Sequence, residues 1–301
     1  MENKPISVNL ILRIFQDELK KDYDLREIKQ FIYILFDEWK GWNRAQVQIN
    51  QEEILTEEEV SLFHLALEEL KRYKPIQYII GQAHFHGLKL VVTPDVLIPR
   101  PETEELVDLI IRENTHKRHD ELSILDIGTG SGCIAVNLKK YFPFSFVSAM
   151  DSSEKALRVA MENADRNDCR ITFLHHDIFR QTEQSKFIVY NIIVSNPPYV
   201  RESEKKEMHK NILDHEPHEA LFVPDYDPLV YYKAIAAFTR QHLCRPGLLY
   251  LEINERFGPE IRTLLLNKGF DKVAVMKDIH GKDRFIRAES NNRVIPSISH
   301  H

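Results

Sequence analysis

From residue 122 onward the chain repeats one unit, a short apolar run followed by a stretch of helical spacing, and few folds can accommodate that alternation. Ser123-Ile-Leu-Asp-Ile127, Phe146-Val-Ser-Ala-Met150, Arg170-Ile-Thr-Phe-Leu-His-His176 and Asn191-Ile-Ile-Val-Ser195 read as strands. A helical stretch with Val136, Leu138 and Tyr141 separates the first two, and one with Ala156, Leu157, Val159, Ala160 and Ala164 follows the second. Strands separated by helices pair in parallel, because only a crossover of that length can return the chain to the same edge. A helix at 231–243, a strand at 248–253, a helix at 259–267 and strands at 272–276 and 284–287 complete the pattern. No helical segment lies between the last two strands, so they are expected to pair antiparallel. The predicted class is α/β, a Rossmann-like sheet of seven strands.

The first 75 residues have a different texture. Apolar residues recur at helical spacing in 8–18 and 25–39, and Thr56 with Glu59 spells a capping box ahead of Leu62, Phe63, Leu67 and Leu70. This is the pattern of a small helical bundle for packing or partner recognition. Residues 76–94 read as a linking β-hairpin turning at Gly87, with strands at 78–81 and 83–92. The expected division is a helical domain at 1–75, the hairpin at 76–94, the sheet domain at 95–290 and a tail at 291–301, with His300-His301 unassigned. His84 and His86 lack a third nearby ligand, so no metal site is expected. Three cysteines far apart, Cys133, Cys169 and Cys244, form no C-x-x-C pair and fit a reducing cytoplasmic compartment. No signal peptide or membrane span is visible. A net charge of −6 argues against a protein that grips nucleic acid electrostatically.

In an open α/β sheet the carboxyl ends of the strands hold the ligand. Three successive strands here end in a glycine loop or an acid. Gly128-Thr129-Gly130-Ser131-Gly132 opens a helix, where glycines let backbone N–H groups come close to a ligand. A dinucleotide fingerprint needs a third glycine or alanine at position 133, which is Cys133, and Asp126 before the loop would repel a pyrophosphate. The same acid suits a cation, and S-adenosyl-L-methionine carries an ammonium and a sulfonium. Asp151 ends the second strand, placed for the ribose hydroxyls, and Asp177 ends the third, placed for the adenine amino group with Ile178 against the ring. Each acid alone is an ordinary helix cap; the set on one edge marks a cofactor site.

The fourth strand runs into Asn196-Pro197-Pro198-Tyr199. Alone, Asn-Pro is a turn signal. Upstream, Ile98-Pro-Arg-Pro-Glu-Thr-Glu-Glu105 carries Arg100 in a rigid proline frame, while Glu102, Glu104 and Glu105 suit the first turn of a helix. With Pro75-Ile-Gln-Tyr78, Leu125-Asp-Ile-Gly-Thr-Gly-Ser-Gly-Cys-Ile-Ala135 and Gly281-Lys-Asp-Arg284, these segments make the chain resemble the peptide chain release factor N5-glutamine methyltransferases over most of its length. Leu221-Phe-Val-Pro-Asp-Tyr-Asp-Pro-Leu229 departs from the Asp-Gly-Gly-rich stretch of many members. The resemblance implies a class I methyltransferase sheet and transfer of a methyl group to the glutamine of the Gly-Gly-Gln loop of class-1 release factors.

A glutamine amide nitrogen is a poor nucleophile, its lone pair delocalised into the carbonyl. The Asn196 side-chain oxygen and the Pro197 carbonyl can each accept one of its N–H groups and so aim the nitrogen. Pro197 and Pro198 make the frame rigid, Tyr199 is placed to stack on the planar amide, and Arg100 joins the substrate side. No general base is evident; His175, His176 and His215 are expected to be structural or surface residues. Residues 201–219 read as a polar flap beside the site, or as a solvated face. Two other readings remain open from these residues. One is an amino-methyltransferase acting on adenine or cytosine of nucleic acid, which shares Asn196 to Tyr199; the other is a catalytically silent cofactor-binding module. A monomer without a membrane anchor is expected.

Overall fold

A computed structural model describes residues 5–180 and 187–290, so the expected tail lies outside the described residues. The chain divides into two compact units, Met1–Gln82 with His209–His215, and Ala83–Met208 with Glu216–His301.

The first unit is helical: α1 (Val8–Leu19), α2 (Leu25–Lys40), α3 (Arg44–Ile49), α4 (Glu57–Lys71) and α5 (Ile76–Ile80). Polar side chains start α1 to α4 by satisfying N–H groups that have no partner within the helix. Asp24 Oδ1 accepts from the N–H groups of Arg26 and Glu27, and Gly41, at φ +65°, ends α2. The Thr56–Glu59 capping box is present, with bonds of 3.2 and 2.9 Å. Phe15, Ile28, Ile32, Phe36, Phe63 and Leu67 form the buried core, Phe36 and Phe63 with ring centroids 4.6 Å apart. Each such side chain, taken fully out of water, contributes roughly 1.5–3 kcal/mol.

Residues 78–81, read as a strand, belong to α5 and its cap. Pro75 supplies a preset φ just before the helix, Ile76 turns into the helical core, and Gly81 ends the helix at φ +73°. A five-residue apolar run carries too little periodicity to separate helix from strand. The unit also recruits the distant helix Lys210–His215: His215 Nε2 lies 2.8 Å from the Arg72 carbonyl, and Lys210 Nζ sits 4.9 Å over the Tyr73 ring. The 201–219 stretch is therefore not one flap. Its first part is a 3-10 turn (Glu202–Glu207) of the second unit, its middle part packs with the helical unit, and Glu216 onward returns to the second.

The second unit opens with the hairpin of β1 (Gln82–Phe85) and β2 (Leu88–Val91). Both turn residues, His86 (φ 47°) and Gly87 (φ 76°), have the positive φ that matches the twist of a two-residue hairpin. α6 (Pro101–Asn114) follows, with Pro101 in its first turn as expected. Then come β3 (Ser123–Ile127), α7 (Cys133–Tyr141), β4 (Phe146–Asp151), α8 (Glu154–Arg166), β5 (Ile171–His175) and β6 (Tyr190–Ser195). Beyond β7 (Val200–Arg201), α9 (Lys210–His215) and β8 (Phe222–Val223) lie α10 (Val230–His242), β9 (Leu243–Glu252), α11 (Gly258–Asn267), β10 (Asp271–Lys277) and β11 (Asp283–Ser290).

Seven strands form one sheet in the order β10-β11-β9-β6-β3-β4-β5. β11 is antiparallel to both β10 and β9; the other pairs are parallel. Period-two alternation buries both faces. Leu125, Ile127, Ile193, Leu249 and Leu251 pack with Ile235 and Ala236 of α10, while Ile124, Ile192, Val194 and Tyr250 pack with Leu106 and Ile110 of α6 and Ile134 and Leu138 of α7. The chain proceeds from β3 to β4 and β5 on one side, then crosses to β6 and β9 on the other. Between β3 and β6 the direction of winding switches, and the loops that leave these strands diverge and open a crevice.

Candidate active site

A cavity of about 470 Å³ occupies that crevice. The register places its walls: Ile127 pairs with Ser195 across β3–β6 and with Met150 across β3–β4, and Asp151 pairs with His175 across β4–β5. The loop after β3, the acid ending β4, Asp177 just past β5 and Asn196 just past β6 therefore share one edge. Of the predicted residues, Gly128, Thr129, Gly130, Ser131, Asp151, Asp177, Ile178, Asn196, Pro197, Pro198 and Arg100 line the cavity. Asp126, Gly132 and Tyr199 do not.

The surroundings of these three residues account for their places. Asp126 points to the face of β3 covered by α6 and α7 and is wholly buried, sealed below the loop by Thr129, whose hydroxyl donates to Oδ2 at 2.7 Å. Burial pushes its carboxyl up to about 7; the nearby Ala135 N–H favours the charge, but Oδ1 has no hydrogen-bond partner that meets bonding geometry. Gly132, at φ +80°, serves helix packing: a Cβ there would meet Ala160 Cβ of α8 at 3.1 Å. Tyr199 is anchored by its hydroxyl, which donates to Glu252 Oε1 at 2.9 Å.

The glycine loop also differs from the expected ligand cradle. The N–H groups of Gly128 and Thr129 both donate to the Met150 carbonyl, at 2.8 and 3.0 Å; that of Gly130 donates to Asp151 Oδ2 at 2.9 Å, and that of Gly132 to the Thr129 carbonyl at 2.8 Å. These donors are spent on the protein, so the loop is no phosphate nest. Asp151 also accepts from the Ser153 N–H at 2.9 Å through Oδ1, and burial raises its pKa. Asp177 Oδ1 accepts from the Phe179 N–H at 3.0 Å, the local turn bond that an acid at this place usually makes. Beyond it, Ile178, Phe179 and Tyr231 supply an apolar wall, the two rings 4.9 Å apart between centroids. Phe179 and Tyr231 escaped the sequence reading, since single aromatics outside a motif carry no signal. Two wall carboxylates, a third with an orphaned oxygen beneath the loop and a flat apolar face fit a cationic nucleoside such as S-adenosyl-L-methionine. They do not fit a pyrophosphate.

Opposite lies Asn196. Its Nδ2 donates to Thr103 Oγ1 at 3.0 Å, and Thr103 Oγ1 donates to Glu252 Oε2 at 2.8 Å. Ser195 Oγ ties β6 to the Ile127 carbonyl of β3 at 2.7 Å, and β7 pairs in parallel with β8, holding the chain on both sides of the two prolines. Arg100 is fixed by an ion pair with Glu216, whose side chain is 1% exposed and also accepts from the Ile98 N–H at 3.3 Å. Thr103, Glu216 and Glu252 were not foreseen. Thr103 had been visible only as a letter of the proline-rich segment, and the other two sit far away in sequence. His176 lines the cavity and packs its ring edge-on against Phe187, the centroids 5.3 Å apart. Among the described residues no group of three His, Cys, Asp or Glu side chains could hold a metal ion, and no helix is long and apolar enough to cross a membrane.

Comparison with known proteins agrees with this geometry. Residues 11–81 match the PrmC N-terminal domain family and residues 108–221 the methyltransferase small domain family. The release factor glutamine methyltransferase of Flavobacterium psychrophilum is 43% identical over 274 residues, spanning 91% of this chain and 95% of that one. The enzyme of the same name from Bacteroides thetaiotaomicron is 42% identical, spanning 93% and 99%. A methyltransferase structure from Pyrococcus furiosus, 16% identical with a TM-score of 0.50, covers 68% of this chain and 90% of its own and shows the likeness of fold alone. The chain belongs to the release factor glutamine methyltransferase family.

Proposed function

We propose that this chain methylates N5 of the glutamine in the Gly-Gly-Gln loop of class-1 peptide chain release factors, with Asn196 and Pro197 as the acceptors that hold the amide. The carrying observation is the placement of Asn196, its Nδ2 turned into the protein, across one crevice from the loop 128–131. S-adenosyl-L-methionine is the cofactor; bound here it would supply an electrophilic methyl group and leave as a neutral thioether, while the amide nitrogen gives up one proton to water. Asp151, Asp177 and Ile178 hold its nucleoside and residues 128–131 shape the space around its charged end, with Asp126 acting from below through charge.

The remaining work is positioning. Asn196 Oδ1 and the Pro197 carbonyl each take one N–H of the substrate amide, aiming the nitrogen and favouring the positive charge that develops there. Pro197 and Pro198 deny those acceptors the freedom to drift, and Arg100, pinned by Glu216, fixes the rim. The helical unit contributes recognition of the rest of the release factor. The protein works as a monomer in the cytoplasm, where release factors act.

The test is methyl transfer from labelled cofactor to a purified class-1 release factor and to the same factor with its loop glutamine changed to alanine. Label is expected in the first only. Equal labelling of both, or labelling only of added DNA or RNA, overturns the reading.

A further inference from the structure

A carboxamide can face a substrate with its oxygen or with its NH₂, and only the oxygen can accept the N–H of a glutamine amide. The two orientations differ little in shape, so packing cannot choose between them. Hydrogen bonding behind Asn196 can. Thr103 Oγ1 stands between Asn196 Nδ2, at 3.0 Å, and Glu252 Oε2, at 2.8 Å; the other carboxylate oxygen, Oε1, takes the Tyr199 hydroxyl at 2.9 Å. An ionised carboxylate only accepts, so Thr103 must give Glu252 its single proton and can then only accept from Asn196. Asn196 answers with an N–H, and its Oδ1 is the atom left for the cavity.

Thr103 comes from α6 and Glu252 from the end of β9, and both are buried. We propose that Thr103 and Glu252 form a positioning relay that fixes the polarity of the Asn196 carboxamide, the negative charge of Glu252 being its anchor. The proposal rests on the reading of Asn196 as an acceptor for the substrate amide. Neither residue touches the reacting atoms in this scheme; both are positioning residues.

The charge of the anchor is finely set. Burial pushes Glu252 up to about 7, the bonds from Thr103 and Tyr199 and the charge of Arg284 work against that rise, and Glu102 adds to it. The Tyr232 hydroxyl, on α10, donates to the Glu252 backbone carbonyl at 3.2 Å and leaves the carboxylate to its two donors. Once protonated, Glu252 can donate to Thr103, which is then free to donate to Asn196 and draw Oδ1 inward. The relay thus loses its direction as pH falls through about 7.

Methyl transfer to a purified release factor between pH 5.5 and 9 tests the relay in wild type, Thr103→Val, Thr103→Ser, Glu252→Gln and Asn196→Ala. Thr103→Val keeps shape and removes the hydroxyl; kcat is expected to fall about 10–100-fold, the range for losing a group that orients an active-site ligand, with KM and cofactor Kd within about threefold. Thr103→Ser restores most of the rate. Glu252→Gln, which can donate as well as accept, loses kcat similarly and abolishes the acid limb near pH 7. Wild-type kcat in Thr103→Val, an unchanged acid limb in Glu252→Gln, or loss of cofactor binding in either overturns the relay. If wild type methylates the factor and Asn196→Ala does not, such a result removes the relay alone. An active Asn196→Ala, or an inactive wild type, would instead remove the reading of the site itself.

Discussion

The two walls of the cavity are built by opposite means. On the cofactor side, backbone does the shaping: four loop N–H groups close on the Met150 and Thr129 carbonyls and on Asp151, all within or next to one β-α-β segment. On the amide side, side chains do it, and they come from three separated places: Thr103, the segment holding Asn196 and Tyr199, and Glu252. A backbone-built wall is fixed by local chain geometry and survives many side-chain changes. A side-chain-built wall is only as good as its weakest bond, and its parts must be matched across the sheet. Substitutions on the amide side should therefore strike rate, and those on the cofactor side affinity.

The largest expected effect is on the amide side. Asn196→Ala should lower kcat about 10²–10³-fold, the range for removing one preorganised hydrogen-bond partner of developing charge, while cofactor Kd measured by calorimetry stays within about threefold. A loss of affinity with kcat intact would exchange the roles of the two walls. Next comes Asp151→Asn, which removes a charged acceptor from the cofactor wall; Kd for the cofactor should rise about 10–100-fold, with kcat at saturation little changed. A rate defect that saturating cofactor fails to relieve would break the comparison from the other direction.

Asp126 sharpens the comparison through pH. Its folded-state pKa is raised to about 7 by burial, above its ordinary value of 3.8. A raised acid stabilises the fold fully below the unfolded value, and that contribution is lost as pH rises through the folded one. Urea unfolding of ligand-free protein should show a fall in stability between pH 5 and 8 of which Asp126 accounts for on the order of 2–3 kcal/mol, so that Asp126→Asn removes this share and leaves the fall due to Glu252. A stability that rises over that window would mean that Asp126 is held as a paired carboxylate. The smallest effect belongs to Gly132→Ala: a left-handed φ and the contact with Ala160 should cost about 1–2 kcal/mol in the same unfolding assay, leaving cofactor Kd nearly unchanged. An affinity loss without destabilisation would return Gly132 to the ligand loop.

This contrast also explains what a reader of the sequence can see. The strands and their antiparallel ending were legible because period-two runs and the missing helix before β11 are local signals. So were Asp151, Asp177 and the glycine loop, which sit at strand ends. Which way a side chain faces across a sheet is not local. The letters do not show that Asp126 lies beneath the loop with the Thr129 hydroxyl on its carboxylate, or that the Tyr199 hydroxyl donates to Glu252. Glu252 ends a strand without any motif, so nothing in the letters announces that it faces Thr103. The helix α3 was missed for the converse reason: six residues with one buried side chain, Val47, give no period to detect.

The helix Lys210–His215 has a consequence for protein engineering. It belongs with the N-terminal helices although its neighbours on both sides belong to the sheet unit. The helical unit is thus discontinuous in the sequence. A chimera joined once near residue 82 would import a foreign bundle while keeping a native α9 whose partners, the Arg72 carbonyl and the Tyr73 ring, had been replaced. Exchange of the helical unit between relatives needs two cassettes, 1–82 and 209–215, carried over together.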